Sequence, residues 1–302
     1  MTSIGVIGAG AIGMLLASVI SQYQAVSLYV RREEQRALLI QNGITQLDEA
    51  NYKQGIQIKP AASPWEEELM IIAVKQPALP ALLKEHAVPR HPEQAIVFLQ
   101  NGMGHLPLMK ALDYQHLFVG IVEHGVRKVQ DDVIDWNGKG QIKMGVFKGD
   151  SDKVSRLCQI PSLNVQLVKD WQPLLEDKLL VNAIINPLTA LYKITNGEVF
   201  ENPFFRSAAH SIFLELADAL TIPDSLRKEK WNYIELVGQA TAKNRSSMLQ
   251  DLDANRKTEI DAILGYMMTQ HPSLPKPLTS FLYHSIKGLE GVRSVNANFK
   301  EE

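Results

Sequence analysis

A chain of 302 residues is longer than one hydrophobic core usually organises, so two domains or one large α/β domain are expected. Hydrophobic residues at 45% and charged residues at 21% supply a sizeable core and exclude a disordered chain. With 31 Lys and Arg against 33 acids, a net charge of -2 and no basic run, the sequence argues against nucleic-acid or membrane-surface partners and leaves small-molecule chemistry.

The N-terminal "MTSIGVIGAGAIGMLLASVI" has no basic leader and is punctuated by glycines, so it does not read as a signal peptide. No apolar run reaches the length of a membrane span. The single Cys158 cannot form an intramolecular disulfide and reads as a small core residue, in keeping with a reducing cytoplasm.

The stretch 3–20 reads as a short buried strand, a glycine turn and an amphipathic helix from about residue 11. Gly8, Gly10 and Gly13 fall at GxGxxG spacing within "GAGAIG". One glycine permits the tight turn, one lets a pyrophosphate approach the backbone, and one allows close helix-to-strand packing. Gly8, Ala9, Gly10, Ala11, Ile12 and Gly13 are therefore the expected dinucleotide-binding turn, with the helix N-terminus facing the phosphates. The second strand, 25–32, ends in Arg31 and Arg32 where an NAD site usually carries an acid. A guanidinium there favours a 2'-phosphate, hence NADP(H), with Arg31 as the main contact.

Further strands are expected at 55–60, 69–75, 95–102 and 117–128, apolar enough for a sheet covered on both faces. Lys75 and Asn101 close two of them, at the edge where open α/β sheets bind ligands. A lysine closing a strand can equally be a solvated end, and "QNGMG" a plain glycine turn. Alternation around Asn137-Gly138 predicts a hairpin over 131–149 that extends the sheet, and 164–170 is the last strand-like run. The domain boundary is placed near Asp170, giving a Rossmann-type domain over 1–170 and a helical domain over 171–302.

From Trp171 the periodicity becomes helical. Ala208, Ile212, Leu216 and Leu220 form one apolar stripe, and Ile260, Ile263, Leu264 and Met267 another in a helix beginning near Thr258. In "EDKLLVNAIINPLTALY" the apolar residues surround the axis, yet Lys178, Asn182 and Asn186 recur every fourth position and share one sector. Pro187 follows at once and should kink that helix. The stripe is either an interhelical hydrogen-bond network or a substrate surface. A polar cluster at 243–252 holds Asn244, Ser246 and Ser247, where Ser247 could serve an anion or cap a helix. Glu259 reads as a first-turn acid and Asn196 before Gly197 as a left-handed or turn residue.

Taken together, "GAGAIG", "AVK" at 73–75, "QNGMG" at 100–104, "KLLVNAIINPLTAL" at 178–191, "NGE" at 196–198 and "NRSSMLQDLDANRKTEID" at 244–261 resemble the ketopantoate reductase family. The resemblance implies α/β architecture with an N-terminal Rossmann-type domain for NADPH, an all-helical substrate domain, and the reduction of 2-dehydropantoate in pantothenate synthesis. By position it implies Lys178 as the catalytic lysine and Glu259 as the acceptor of the substrate hydroxyl. Asn101, Asn182, Asn186, Asn244 and Ser247 line the substrate site on the same grounds, and Arg31 and Lys75, with Asn101, serve the cofactor. The expected protein is a cytoplasmic monomer or homodimer acting on a small 2-oxo acid, with no metal, no nucleic acid and no membrane partner. The alternatives are a reductase of another branched 2-oxo acid and a non-catalytic NADP(H)-binding regulator.

Overall fold

The computed structural model describes residues 3–47, 51–52, 54–270 and 272–298; residues 1–2 and 299–302, the outer ends of the two expected domains, lie outside it. The chain divides into two compact units. One takes in the chain up to Gln100 together with His105–Gln172, the other Asn101–Gly104 together with the chain from Pro173 onward.

The first unit is built on twelve strands: β1 Ile4–Ile7, β2 Val26–Val30, β3 Ile44–Gln46, β4 Asn51–Tyr52, β5 Ile56–Pro60, β6 Leu69–Ile72, β7 Ala95–Phe98, β8 His116–Val122, β9 Gly125–Lys128, β10 Val133–Gly138, β11 Ile142–Lys148 and β12 Val165–Val168. Its helices are α1 Ala11–Ile20, α2 Glu33–Asn42, α3 Leu79–Glu85, α4 Leu106–Lys110 and α5 Ser155–Cys158. Every residue of β1, β2, β6 and β7 is buried, because their apolar runs are covered on both faces. The main sheet has the order β12-β11-β8-β7-β6-β1-β2-β5. From β5 to β8 all neighbours are parallel, with Ile4 in register with Val26 on one side and Leu69 on the other. β11 then runs antiparallel to β8, and β12 parallel to β11.

A second sheet, β4-β3-β10-β9, covers the other side of α1. The helix packs on β1 and β2 of the main sheet and on β9 and β10 of the second, so all residues from Gly13 to Ile20 are buried rather than one face of them. The expected amphipathic α1 is thus a helix enclosed by two sheets. Its polar Ser18 is satisfied inside, donating to the Leu15 carbonyl and accepting from Gln46 Nε2, both near 2.8–2.9 Å.

The predicted hairpin over 131–149 does not form. β10 pairs with β3 and β9 in the small sheet, while β11 pairs with β8 and β12 in the large one. The predicted single strand 117–128 is likewise two, since β8 and β9 lie in different sheets. Both chains switch sheets at the same place. Gly140 N donates to His124 Nδ1 at 3.1 Å and Glu123 N donates to the Gln141 carbonyl at 2.9 Å. A Cβ on Gly140 would lie 2.3 Å from the Glu123 carbonyl oxygen, so this glycine serves the close crossing, while Gly138, where the turn was expected, pairs with Gly125 at the end of β10.

The second unit is helical: α6 Trp171–Tyr192, whose first two residues group with the first unit, then α7 Glu198–Glu201, α8 Pro203–Ala219, α9 Asp224–Ala240, α10 Ser247–Asp253, α11 Tyr266–Thr269 and α12 Pro277–Asn298. α6 stays helical past Pro187, although that residue withholds the N–H the Ala183 carbonyl would accept. The α8 core stripe is Ala209, Ile212, Phe213 and Leu216, one residue over from the expected register at its first position. Ile260, Ile263, Leu264 and Met267 are all buried, but the segment Asp261–Gly265 is a π turn leading into α11 and not the start of a regular α-helix. No helix among the described residues is long and apolar enough to cross a membrane.

Candidate active site

β1 ends where the strand order of the main sheet reverses, with β2 on one side and β6 on the other, and the glycine turn opens at its carboxyl end. Gly8 has φ +105, the left-handed region where a side chain is strained, and a Cβ there would lie 2.7 Å from Val74 Cγ1. A Cβ on Gly13 would lie 1.7 Å from the Gly8 carbonyl oxygen, so only glycine lets α1 start this close to β1. Gly10 is different. Its φ of -83 suits any residue and a Cβ would meet nothing within 4 Å, so what its missing side chain leaves is room for a ligand. Gly10 is also the N-cap of α1 and offers no side-chain cap, while the first turn carries no acid; the helix's first N–H groups and dipole therefore face that space uncompensated. This is a cradle that fits a pyrophosphate.

Two cationic side chains, Arg31 and Lys75, lie at the ends of the neighbouring strands. Arg31 is exposed at the end of β2 and makes no ion pair or hydrogen bond with the described residues, whereas Arg32 pairs with Asp131. Lys128, 2.7 Å away, and Arg32 together hold the Asp131 carboxyl below its usual range. Lys75 is exposed just beyond β6, at the head of a short 3-10 turn. Two buried amides that the sequence reading passed over hold the backbone here. Gln35 Nε2 donates to the Ala9 carbonyl in the glycine turn and to the Asp131 carbonyl, both at 2.8 Å. Gln100 Nε2 donates to the Ile72 and Val74 carbonyls, each at 2.9 Å, fixing the segment that leads to Lys75.

In the helical unit, Lys178 and Asn182 are half-buried on α6 and Asn186 is 9% exposed. Neither side-chain amide hydrogen-bonds another described residue. The amides are thus no interhelical network among the described residues, and the Asn186 amide, on a residue 9% exposed, still reaches solvent, where a ligand can meet it. One turn on, the buried Thr189 hydroxyl lies 2.7 Å from Ser246 Oγ and 2.8 and 3.0 Å from the Ile185 and Asn186 carbonyl oxygens. Ser246 also accepts from Leu249 N at 3.1 Å and is the N-cap of α10. Capping is therefore the work of Ser246, and Ser247 begins α10 with an exposed hydroxyl that has no partner among the described residues. The exposed Asn244 uses its backbone, its N–H donating to the Thr241 carbonyl and its carbonyl accepting from Asn196 N, while its side-chain amide has no partner among the described residues.

Asn196 lies in a turn, as one of the two expected readings had it, without entering the left-handed region. The positive-φ residue after α6 is Lys193, and Gly197 is glycine because a Cβ there would lie 2.6 Å from that of Ala242, where the two loops exchange backbone hydrogen bonds.

Asn101, grouped with the helical unit, donates through Nδ2 to Glu259 Oε2 at 2.9 Å. The next residue, Gly102, has φ +76, and a Cβ there would lie 2.3 Å from the Ala262 carbonyl oxygen, so the 101–104 loop seats directly on the π turn. Glu259 Oε1 takes no hydrogen bond from the described residues. The half-buried carboxylate thus has one oxygen fixed by an amide and the other available as an acceptor. Two hollows of about 620 and 590 Å³ lie elsewhere in the first unit, around Gln57 and Lys59 and around Trp65 and Arg90, and contain none of the expected residues.

Six parallel strands in the order β5-β2-β1-β6-β7-β8, with a glycine turn at the reversal of order, define a Rossmann-type dinucleotide-binding protein, here followed by a helical unit. Residues 4–149 match the family described as ketopantoate reductase PanE/ApbA and residues 170–290 match its C-terminal part, so the chain belongs to the ketopantoate reductase family. Membership makes it an NADP(H)-dependent oxidoreductase. It is 35% identical to the 2-dehydropantoate 2-reductase of Listeria monocytogenes over 300 residues, covering 97% of this chain and 98% of that protein. The crystal structure of a probable 2-dehydropantoate 2-reductase from Bacillus subtilis superimposes with a TM-score of 0.85 at 34% identity, covering 95% of this chain and 99% of that one. The ternary structure of D-mandelate dehydrogenase with NADH and anilino(oxo)acetate gives a TM-score of 0.86 at 20% identity, covering 97% and 99%; that likeness is one of fold.

Proposed function

We propose that this chain reduces 2-dehydropantoate (ketopantoate) to pantoate with NADPH, a step of pantothenate and coenzyme A synthesis, in the cytoplasm and as a monomer or homodimer. The observation that carries the reading is the set of polar side chains without a partner among the described residues: the amides of Asn182 and Asn186, the Ser247 hydroxyl and Glu259 Oε1.

The Gly8–Gly13 turn and the N-terminus of α1 hold the pyrophosphate, Arg31 the 2'-phosphate, and Lys75 with Asn101 the remaining cofactor side. Bound NADPH supplies the hydride that turns the C2 carbonyl carbon into an alcohol carbon. Lys178 donates its proton to the carbonyl oxygen as negative charge grows there, a contribution of roughly a hundred- to ten-thousand-fold in rate. Its charge also steadies the developing alkoxide. Asn182 and Asn186 orient the substrate without adding charge, and Ser247 and Asn244 receive its carboxylate. Glu259 accepts the C4 hydroxyl through Oε1 while Asn101 holds the other oxygen.

The test is a steady-state assay of NADPH and NADH oxidation with ketopantoate, 2-ketoisovalerate and a bulkier aromatic 2-oxo acid. The highest kcat/KM is expected for ketopantoate with NADPH. A higher kcat/KM for an acid without the hydroxyl overturns the substrate in favour of another 2-oxo acid reductase, and NADPH binding without turnover of any acid identifies a regulator.

A further inference from the structure

The role given to Glu259 raises the question of what keeps its short segment in place, since a π turn begins two residues later and offers weaker support than an α-helix. Glu259 is bracketed by Thr258 and Asp261, and α12 grips both. Glu290 Oε1 accepts from Thr258 N at 2.8 Å and from Thr258 Oγ1 at 2.7 Å, and Thr258 Oγ1 in turn accepts from Ile260 N at 3.2 Å. Lys287 Nζ lies 3.0 Å from Glu290 Oε2 and 3.1 Å from Asp261 Oδ2, and Tyr283 donates to Asp261 Oδ1 at 2.7 Å. The Glu290 side chain is 10% exposed and Thr258 is 3% exposed, so that arm is enclosed, while the Lys287–Asp261 arm lies nearer the surface.

We propose that Glu290 is a positioning residue for substrate recognition: by holding the Thr258 backbone and hydroxyl, with Lys287 and Asp261 closing the far side, it fixes the peptide from which Glu259 reaches the substrate hydroxyl. The inference rests on the hydroxyl-accepting role of Glu259. Glu290 touches no reacting atom. Its work is to keep Glu259 Oε1 where a hydroxyl can meet it, and a misplacement of about 1 Å at a reacting site can cost a hundredfold in rate.

The experiment uses the full chain with Glu290→Ala, Glu290→Gln, Thr258→Ala and Glu259→Ala, measuring kcat and KM for ketopantoate and 2-ketoisovalerate, KM for NADPH, and the melting temperature. Glu290→Ala is expected to lower kcat/KM for ketopantoate roughly ten- to hundredfold, mainly through KM, while 2-ketoisovalerate and NADPH change far less. Glu290→Gln, whose amide oxygen still accepts from Thr258, should recover most of the loss. If Glu290→Ala does not fold, Thr258→Ala, which removes the side-chain arm but keeps the backbone N–H bond to Glu290, must shift the same substrate ratio in the same direction. Equal losses on both oxo acids, or no recovery in Glu290→Gln, overturn the proposal. A ratio unchanged in Glu259→Ala sinks the role of Glu259 itself, whereas a ratio changed there and unchanged in Glu290→Ala sinks the brace alone.

Discussion

Asn101 Nδ2 and Glu259 Oε2 are 2.9 Å apart although 158 residues separate them in sequence. The amide at the head of the 101–104 loop thereby sets which carboxylate oxygen remains for a ligand. A site built to bind a hydroxyl can reject analogues lacking it by roughly 10⁴ to 10⁵, so Glu259→Ala should narrow the preference for ketopantoate over 2-ketoisovalerate. Asn101→Ala should narrow it in the same direction. Competition kinetics with the two acids check this, and a mutant ratio equal to the parent's shows that Glu259 has been misassigned.

Lys178 is the one cation on a helix face otherwise polar only through amides. Lys178→Ala should lower kcat by about 10² to 10⁴ while NADPH binds as before, because the loss of a general acid falls on the chemical step. Stopped-flow single turnovers together with cofactor titration separate the two. Parent-like turnover would falsify the proton-donor role.

The two arginines at the end of β2 should behave unequally. Arg31 has no ion partner among the described residues, while Arg32 is committed to Asp131. Losing a charge-assisted contact to phosphate costs about 1.5 to 3 kcal/mol, so Arg31→Ala should raise KM for NADPH roughly ten- to hundredfold and leave KM for NADH nearly unchanged. Arg32→Ala should shift the NADPH-to-NADH preference much less. The comparison is a pair of cofactor saturation curves for each variant.

The glycines divide into one that faces open space and two that the fold requires. Gly10→Val adds a side chain into open space on an ordinary backbone, so the melting temperature should hold while NADPH binding is lost. Gly13→Ala sets a methyl 1.7 Å from the Gly8 carbonyl and should destabilise the protein by about 1 to 3 kcal/mol or more. Thermal melts with and without cofactor distinguish the two.

His105 is fully buried, stacks at 6.1 Å on Phe98, and has no hydrogen bond at either ring nitrogen among the described residues; burial pushes its pKa down to about 4. A folded pKa below the unfolded 6.5 means that the unfolded chain takes up the proton first. Stability is therefore fully present above about pH 6.5 and falls as the pH drops from there toward 4, by roughly 3 kcal/mol for this group. Urea unfolding at pH 7 and pH 4.5 should show the loss, and His105→Phe should flatten it.

What the sequence reveals are requirements satisfied locally. The glycine spacing is legible because Gly8 and Gly13 answer to atoms within their own strand-turn-helix unit and the adjoining β6 exit, while Gly10 sits between them on open space. The four-residue spacing of Lys178, Asn182 and Asn186 is legible in the same way, since α6 alone puts the three on one sector. Gln35 and Gln100 are ordinary amides until the fold brings the Asp131 and Ile72 carbonyls to them. Ser246 and Ser247 fit a cap equally well in sequence, and only the turn from Ser246 Oγ to Leu249 N, held by Thr189, separates the capping residue from the exposed one. The missing hairpin has the same origin: alternation shows that a strand exists but not which sheet receives it, and the switch at Glu123 and Gly140 is a tertiary event.

The π turn at Asp261–Gly265 holds one more residue than an α-helix would use over the same rise. Removing that residue would let the segment wind regularly and swing Glu259 by about 100° relative to Met267. Any search for heat-resistant variants that rewards tidier helices will be drawn to this insertion, and, with Glu259 in its proposed role, its winners at that spot will be sturdier proteins that select their substrate less well.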